Sequence, residues 1–297
     1  MGGIIARLWE DKIVSPDRIA QMIKPGTSIF IGTGVAEPRT LVKTIMNRNF
    51  GNLQDLELIQ IVSFGDAVSL KALRNQKYRL KTFFSGWVAD DAITEGQVDL
   101  VPTRFVWIPR LIESSLIPVN VAFVQITPPD DTGNCSLGVA VDVARQAMDQ
   151  ASLVVGEINS RIPRTFGDTF VHVSDFNYFV MSNDPPIYFD RWPVDPVFDQ
   201  VAANVAVLIE DGSCIAFSIG PLYEALGRHL KKKQHLGVHS PFFTDALMDL
   251  VKSGAVTNRH KETYRGKSLA SYAIGTPELL EWLDQNPLVE FQGIDKV

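Results

Sequence analysis

The chain predicts an α/β protein built from two related, open, mostly parallel domains, the second of them incomplete. Three observations predict it. Short apolar runs that end in glycine alternate with segments whose apolar residues recur at helical spacing, the pattern of parallel β/α units. One strand–glycine–helix unit is written twice, as PGTSIFIGTG at 25–34 and as DGSCIAFSIG at 211–220. The second copy then stops while the first continues into further strands at 119–126 and 153–157.

The copies match position by position: Gly26 with Gly212, Thr27 with Ser213, Ile29 with Ile215, Ile31 with Phe217, Gly34 with Gly220. A helical run precedes each, carried by Ile19, Met22 and Ile23 in the first and by Val205, Leu208 and Ile209 in the second. This is a duplicated domain, because solenoid repeats recur every ~20–50 residues.

In the first copy, Ser15 and Pro16 start a helix as N-cap and first-turn proline, and Pro25-Gly26 ends it. Residues 28–31 form a buried strand that turns at Gly32, Thr33 and Gly34. Residues 37–48 form a helix with its apolar face at Leu41, Val42, Ile45 and Met46. Strands follow at 56–62, opening into Ser63-Phe64-Gly65-Asp66, and at 82–85, before Gly86 and a helix at 90–97. After the strand at 119–126 come a turn at 128–135, a helix at 141–151 and a strand at 153–157. Residues 159–174 read as irregular and then extended.

Residues 183–198 carry Pro185, Pro186, Pro193 and Pro196, which marks a linker and sets the domains at 1–198 and 199–297. Tyr188, Phe189 and Trp192 imply that this linker packs on a domain surface. The second copy repeats the order: a helix after Gly220, a strand at 236–239, a helix at 245–253, a strand at 269–274 before Gly275, a helix at 277–284 and a strand at 289–291. A parallel sheet needs both faces covered, so a sheet that stops here expects its missing strands from another chain, unless the sequence is a fragment.

Composition narrows the function. A net charge of −6 argues against nucleic acid or an anionic membrane as partner. The run Lys231-Lys232-Lys233 follows a helix and complements its C-terminus. Two distant cysteines, Cys135 and Cys214, suit a reducing compartment and exclude a disulfide scaffold. No apolar run is long enough for a membrane span and no signal-peptide pattern opens the chain, so a cytoplasmic protein is expected.

Gly32-x-Gly34 lacks the third glycine of a dinucleotide fingerprint, and the chain has no phosphate-loop, zinc-protease or serine-hydrolase motif. No metal site and no permanently bound cofactor are expected. Asp130-Asp131-Thr132-Gly133-Asn134 misses calcium-loop spacing and reads as a turn. His172 reads first as a half-buried structural histidine, with a catalytic role as the other reading. Arg161 and Arg164 flank Pro163 and read chiefly as loop-holding residues, with an anion clamp as the other reading.

In doubly wound sheets, ligands bind beyond the strand C-termini. That rule picks out Gly32, Thr33, Gly34, Gly65, Gly86, Ser218, Gly220 and His239 as substrate-binding candidates, with Gly275 in the equivalent place near the end. Glycine there lets backbone N–H groups approach a ligand.

Three stretches are more specific: VQITPPDDTGNCSLGVAVDV (124–143), IPRTFGDTFVHVS (162–174) and LGVHSPFFTDALMDLVKSGAVTNRHK (236–261). On these, from WEDK at 9–12 to NPLVEF at 286–291, the chain resembles the acetyl-CoA hydrolase/CoA-transferase family, which includes 4-hydroxybutyrate CoA-transferase. The resemblance implies a CoA-transferase fold with the site between two α/β domains. It further implies acyl-CoA and a small carboxylate as substrates, with coenzyme A arriving as substrate rather than as a resident group. In active members a glutamate follows the LGVHS strand and attacks the thioester, giving an acyl-glutamyl anhydride and then a glutamyl-CoA thioester.

Here the matching residue is Pro241, which has no nucleophile. Asp245, four positions on, reads as a helix N-cap rather than a replacement. The glycine-rich CoA-contacting segment expected later in the second domain is absent. The expectation is therefore a protein that binds acyl-CoA or an acyl carboxylate but is catalytically impaired alone, with no catalytic residue assigned. The alternatives are an active CoA-transferase or hydrolase completed by a partner chain, and a non-catalytic structural or regulatory subunit. A homo-oligomer or a completing partner is expected in either case.

Overall fold

The computed structural model describes residues 9–48, 50–65, 78–84 and 90–297. Ser15 caps the first helix, α1 (Pro16–Met22), by accepting from the Arg18 N–H, with proline in the first turn. Strand β1 (Ser28–Ile31) is buried on all four residues. A 3-10 turn, Gly34–Ala36, separates it from α2 (Arg39–Asn47), which buries Leu41, Val42, Ile45 and Met46 as their spacing predicts. Glu37 and Pro38 lie outside this helix, two residues later than expected, because Pro38 serves as its N-cap.

The first half continues through β2 (Leu56–Gln60), β3 (Tyr78–Thr82), α3 (Asp90–Thr94), β4 (Val98–Leu100), α4 (Ile108–Glu113), β5 (Val121–Ile126), β6 (Asn134–Ser136), α5 (Ala144–Gln150), β7 (Leu153–Asn159), β8 (Phe166–Gly167), β9 (Phe170–His172) and β10 (Tyr178–Ser182). Seven of these strands make one sheet in the order β10-β7-β5-β1-β2-β3-β4, every neighbour parallel. Strand β3 lies earlier than the sequence reading at 82–85. Its basic residues hide it: Lys81 pairs with Glu57 at 2.7 Å and Arg79 with Asp99 at 3.7 Å, while Tyr78, Leu80 and Thr82 face inward.

Alternation across β1 splits the apolar contacts between the two faces of the sheet. Ile29 and Ile31 join Leu58, Phe123, Ile19 of α1 and Leu41 of α2 in one cluster. Phe30, Ile59, Ala122 and Val124 face the larger cluster, which runs on into the second half of the chain.

That half comprises α6 (Pro196–Leu208), β11 (Cys214–Ile215), α7 (Pro221–Leu230), β12 (Gly237–Val238), β13 (Phe242–Phe243), α8 (Asp245–Lys252), β14 (Ser268–Ala270), β15 (Tyr272–Ala273), α9 (Pro277–Leu283) and β16 (Val289–Phe291). Strand β11 pairs with β12, the His239–Leu269 bridge joins β12 to β14, and β14 pairs with β16, all parallel. The order β11-β12-β14-β16 repeats β1-β2-β3-β4, so the sequence duplication is a duplication of topology.

Residues 159–174, irregular and then extended in the sequence reading, carry two short strands in their later part. Strand β8 pairs in parallel with β16 and extends the second sheet, and β9 pairs with β6 in antiparallel register. A second link lies at 139–143, where Val141 donates to Ser271 at 3.2 Å and Ala273 donates to Val139 at 2.8 Å.

The linker packs down, as its aromatic residues imply. Phe64 and Phe189 meet edge-to-face at 5.2 Å, and the Phe189 N–H donates to Gly275 at 2.9 Å. Arg191 grips the second half through Glu224 at 2.9 Å and Asp249 at 3.0 Å, and Lys231 adds a 3.2 Å bond to Asp249. Thus Lys231, first of the basic run, holds a helix–helix contact. No helix among the described residues is long and apolar enough to cross a membrane.

Candidate functional site

The C-terminal ends of β1, β2 and β5 bring one group of predicted residues together. Gly32, Thr33 and Gly34 turn there, with the Gly34 N–H donating to Val62 at 2.9 Å. Gly65 follows β2, and a Cβ on it would stand 2.6 Å from Glu37 Oε1 and from Ile187 Cδ1. A side chain there would have to displace the Glu37 carboxylate and the Ile187 methyl.

Behind the turn sits a buried polar layer that sequence reasoning missed. The Glu37 side chain is fully buried; Gln60 donates to its carboxylate at 3.0 Å and to the Gly32 carbonyl at 3.1 Å. Gln125 donates to the Glu37 carbonyl at 3.2 Å. The two amide groups are thereby oriented, and their oxygens, like the Ser63 hydroxyl, have no hydrogen-bond partner among the described residues. Alternation at the strand ends was the available signal: Gln60 and Gln125 fall on the face of Leu58 and Phe123, where apolar residues were due.

On the same face, Glu157 accepts from Leu41 N–H at 2.9 Å and Thr40 N–H at 3.3 Å at the start of α2. Burial raises its pKa; the Leu41 amide, the Ser182 hydroxyl and the Thr40 amide pull it back, and the Asp184 charge adds to the rise.

Asp142 lies between the two halves of the molecule. Its carbonyl accepts from Ile294 at 3.1 Å, and its side chain is 1% exposed. Burial pushes the carboxyl up to about 7, against the pull of the Thr33 hydroxyl and the Val143 and Ala144 amides. Tyr272, whose buried hydroxyl has no partner among the described residues, is likewise pushed up, first by burial and then by the Asp142 charge.

Ser218 and Gly220 belong to a second group. They line a cavity of about 10 Å³ with Arg191, Trp192, Tyr223 and Thr244. That is room for one water. Gly220 has φ +121° at the entry to α7, a conformation that suits glycine. Linker residues 187–192 run between the two groups.

His239 stands apart from both. Its Nε2 lies 3.0 Å from the Lys296 carbonyl, and its backbone N–H donates to Ile215 at 3.1 Å. Gly86 lies outside the described residues.

Pro241 sits where β12 passes into β13. Its carbonyl accepts from two successive N–H groups, Ser271 at 3.2 Å and Tyr272 at 3.0 Å. Two residues against one is the count of a bulge. Asp245 is not the N-cap the sequence suggests; Thr244 holds that position and Asp245 is the first residue of α8. Its carboxylate instead accepts from Thr276, at 3.1 Å from the N–H and 2.5 Å from the hydroxyl, tying α8 to α9.

His172 is held by Ser174 at 2.8 Å and the Thr132 carbonyl at 3.1 Å. Arg164 donates to the carbonyls of Asn134 at 2.9 Å and Pro128 at 3.2 Å. Both act on the 128–135 turn, whose Asp130 accepts from the Thr132 and Asn134 N–H groups. Arg161 faces a groove of about 450 Å³ shared with Tyr188, Leu280, Glu281 and Asp284. Among the described residues no three His, Cys, Asp or Glu side chains gather as metal ligands.

The chain is thus a duplicated parallel α/β protein with glycine turns and a buried polar layer at its strand C-termini, the end of the sheet at which doubly wound folds take ligands. The chain is a member of the acetyl-CoA hydrolase/transferase family, whose N-terminal domain profile matches residues 6–189. It is 33% identical over 290 residues to the 4-hydroxybutyrate coenzyme A transferase of Clostridium kluyveri, covering 98% of this chain and 67% of that one. It is 32% identical to the succinyl-CoA:acetate/propanoyl-CoA:succinate CoA transferase of Fasciola hepatica, over 92% of this chain and 57% of that one. The crystal structure of RipA from Yersinia pestis superposes with a TM-score of 0.92 at 26% identity, over 98% of this chain and 70% of the other. The chain thus spans between 57% and 67% of the length of these two CoA transferases.

Proposed function

We infer that this chain binds an acyl-CoA or an acyl carboxylate across the strand ends of its two sheets and does not transfer CoA by itself. One observation carries the reading. The position that follows the LGVHS strand is a proline, and its carbonyl is already committed to Ser271 and Tyr272.

The acids around the strand ends offer no ready substitute. Asp245 is tied to Thr276, Glu224 to Arg191 and Glu37 to Gln60, and Asp142 is buried with its proton favoured up to about pH 7. A carboxylate nucleophile must be ionised and able to reach the thioester carbonyl. The binding half of the reading is supported by the unpartnered polar atoms of Gln60, Ser63 and Gln125, since buried polar atoms normally find partners.

The test combines binding with trapping. Thermal unfolding with and without acetyl-CoA reports binding; a ligand at a hundredfold excess over its Kd stabilises by ~2.7 kcal/mol. Incubation with acetyl-CoA and a second carboxylate, followed by hydroxylamine or borohydride and peptide mass analysis, reports covalent chemistry. A thermal shift with no modified carboxylate is expected. A CoA-dependent mark on any Asp or Glu overturns the impaired reading, and no shift with CoA esters favours a structural or regulatory subunit instead. Completion by a partner chain is the second reading, favoured by β11, which among the described residues pairs with β12 alone.

A further inference from the structure

We propose that the groove walled by the loop after β7, the linker and α9 is a second ligand site, built for a free α-amino acid with an apolar side chain. The groove holds about 450 Å³, within the size range of small-molecule sites.

Three segments far apart in the chain meet there, and each brings a different chemistry. The loop after β7 brings Arg161, an exposed residue whose backbone N–H donates to Asn159 at 3.0 Å. Its guanidinium makes a single long bond, 3.4 Å to the Asn183 carbonyl. Helix α9 and its C-cap bring two exposed acids, Glu281 and Asp284. Asp284 is committed, since it accepts the Arg164 N–H at 2.8 Å. The Glu281 carboxylate makes no hydrogen bond or ion pair among the described residues. The linker brings the ring of Tyr188, 37% exposed, and the floor is apolar, with Ile162 and Leu280 at 6% and 4% exposure.

The groove therefore offers one uncommitted cation and one uncommitted anion on different walls, over an apolar floor beside an aromatic ring. A guanidinium fork matches a carboxylate, and a carboxylate accepts from an ammonium group. An amino acid supplies both: its carboxylate to Arg161, its ammonium to Glu281, and its side chain to Ile162, Leu280 and Tyr188. Charge decides against other ligands. A nucleotide or a CoA ester carries two or more negative charges, and this groove holds two carboxylates against one guanidinium, so repulsion disfavours it. A simple carboxylic acid or a simple amine would gain from one wall only.

The position of Tyr188 gives the site a consequence. Its chain neighbours Ile187 and Phe189 pack on the turn after β2. Ile187 Cδ1 lies 2.6 Å from where a Cβ on Gly65 would stand, and Phe189 meets Phe64 edge-to-face at 5.2 Å. The linker thus separates the groove from the strand-end site and touches both. A ligand that fixes Tyr188 restrains the residues that wall the Gly65 turn, which is a route for coupling the two sites.

Calorimetric titration of the full chain with L-phenylalanine and L-leucine tests the assignment. Saturable binding with a Kd at or below about 1 mM is expected. Three probes each lack one contact: 3-phenylpropanoate has no ammonium, 2-phenylethylamine no carboxylate, and free glycine no apolar chain. Each should bind at least about tenfold more weakly, the worth of one charge-assisted hydrogen bond or one buried side chain. Arg161→Ala and Glu281→Gln alter exposed side chains; each should keep the wild-type unfolding midpoint and weaken L-phenylalanine about tenfold. Amides at 187–192 should exchange more slowly with the ligand bound. No saturable binding up to about 10 mM overturns the proposal, and so does an affinity that neither variant changes. Displacement of L-phenylalanine by acetyl-CoA also overturns it, because the groove would then be part of the acyl-CoA site. A chain that binds no CoA ester can still bind the amino acid, so failure here and failure of the acyl-CoA reading are told apart.

Discussion

Asp142 offers a test in which sign and size both follow from the structure. Its carboxyl is pushed from an ordinary 3.8 up to about 7, chiefly by burial. Each tenfold change in proton affinity is worth about 1.36 kcal/mol, so the full shift corresponds to about 4 kcal/mol. The folded state holds a proton that the unfolded state releases near pH 4. Between about pH 4 and pH 7 the folded chain therefore binds more protons, and this group's contribution falls as pH rises, levelling off above 7. Replacing it with asparagine keeps a neutral acceptor for the Val143 and Ala144 amides and removes the titration. Chemical denaturation of wild type and Asp142→Asn at pH 5 and pH 8 measures the effect. About two pH units of the window lie in that range, so the variant should gain about 3 kcal/mol relative to wild type on going from pH 5 to pH 8. Curves that stay parallel across that range would show that Asp142 carries no retained proton, and the account of this buried position would fail.

Three further outcomes are expected. Arg191→Ala should lower stability by about 2 kcal/mol in denaturant unfolding, because a buried acid is left without its cation. The acid is Glu224, whose side chain is 6% exposed; a loss confined to a few tenths would show that the linker is held by its aromatic residues alone. Gln60→Leu should cost about 1–3 kcal/mol by removing a donor from a buried acceptor. The acceptor is Glu37, the readout is thermal unfolding, and an unchanged midpoint would remove Gln60 from the polar layer. Alkylation of the native chain at neutral pH should label one thiol, Cys214, since Cys135 is buried and its pKa is pushed up to about 12. Labelling of both thiols before unfolding would contradict that burial.

The duplicated half-sheet was legible because glycines and apolar residues repeat at matching positions, and paired positions reappear in matching strand order. The predicted turns at Gly32–Gly34 and Gly65 meet in space because they end neighbouring parallel strands. Ser218 and Gly220 share a different cavity, and His239 turns to the Lys296 carbonyl. Glu37, Gln60 and Gln125 escaped notice because each is an ordinary polar residue beside a strand end, and their meeting depends on registers between segments far apart in the chain. Asp245 was misassigned by one position, since Thr244 also suits a cap and the carboxylate finds its partner 31 residues later, at Thr276.

The sequence by itself determined the parallel α/β class, the duplication, the family and the absence of a carboxylate at position 241. All of these are written in local patterns and residue identities. Tertiary structure decided the rest: that β8 crosses to extend the second sheet, that Asp142 is sealed between the halves, and that Arg161, Tyr188 and Glu281 share one groove. These depend on which distant segments exclude water from one another, and burial, with the proton affinities that follow from it, exists only once the chain has closed on itself.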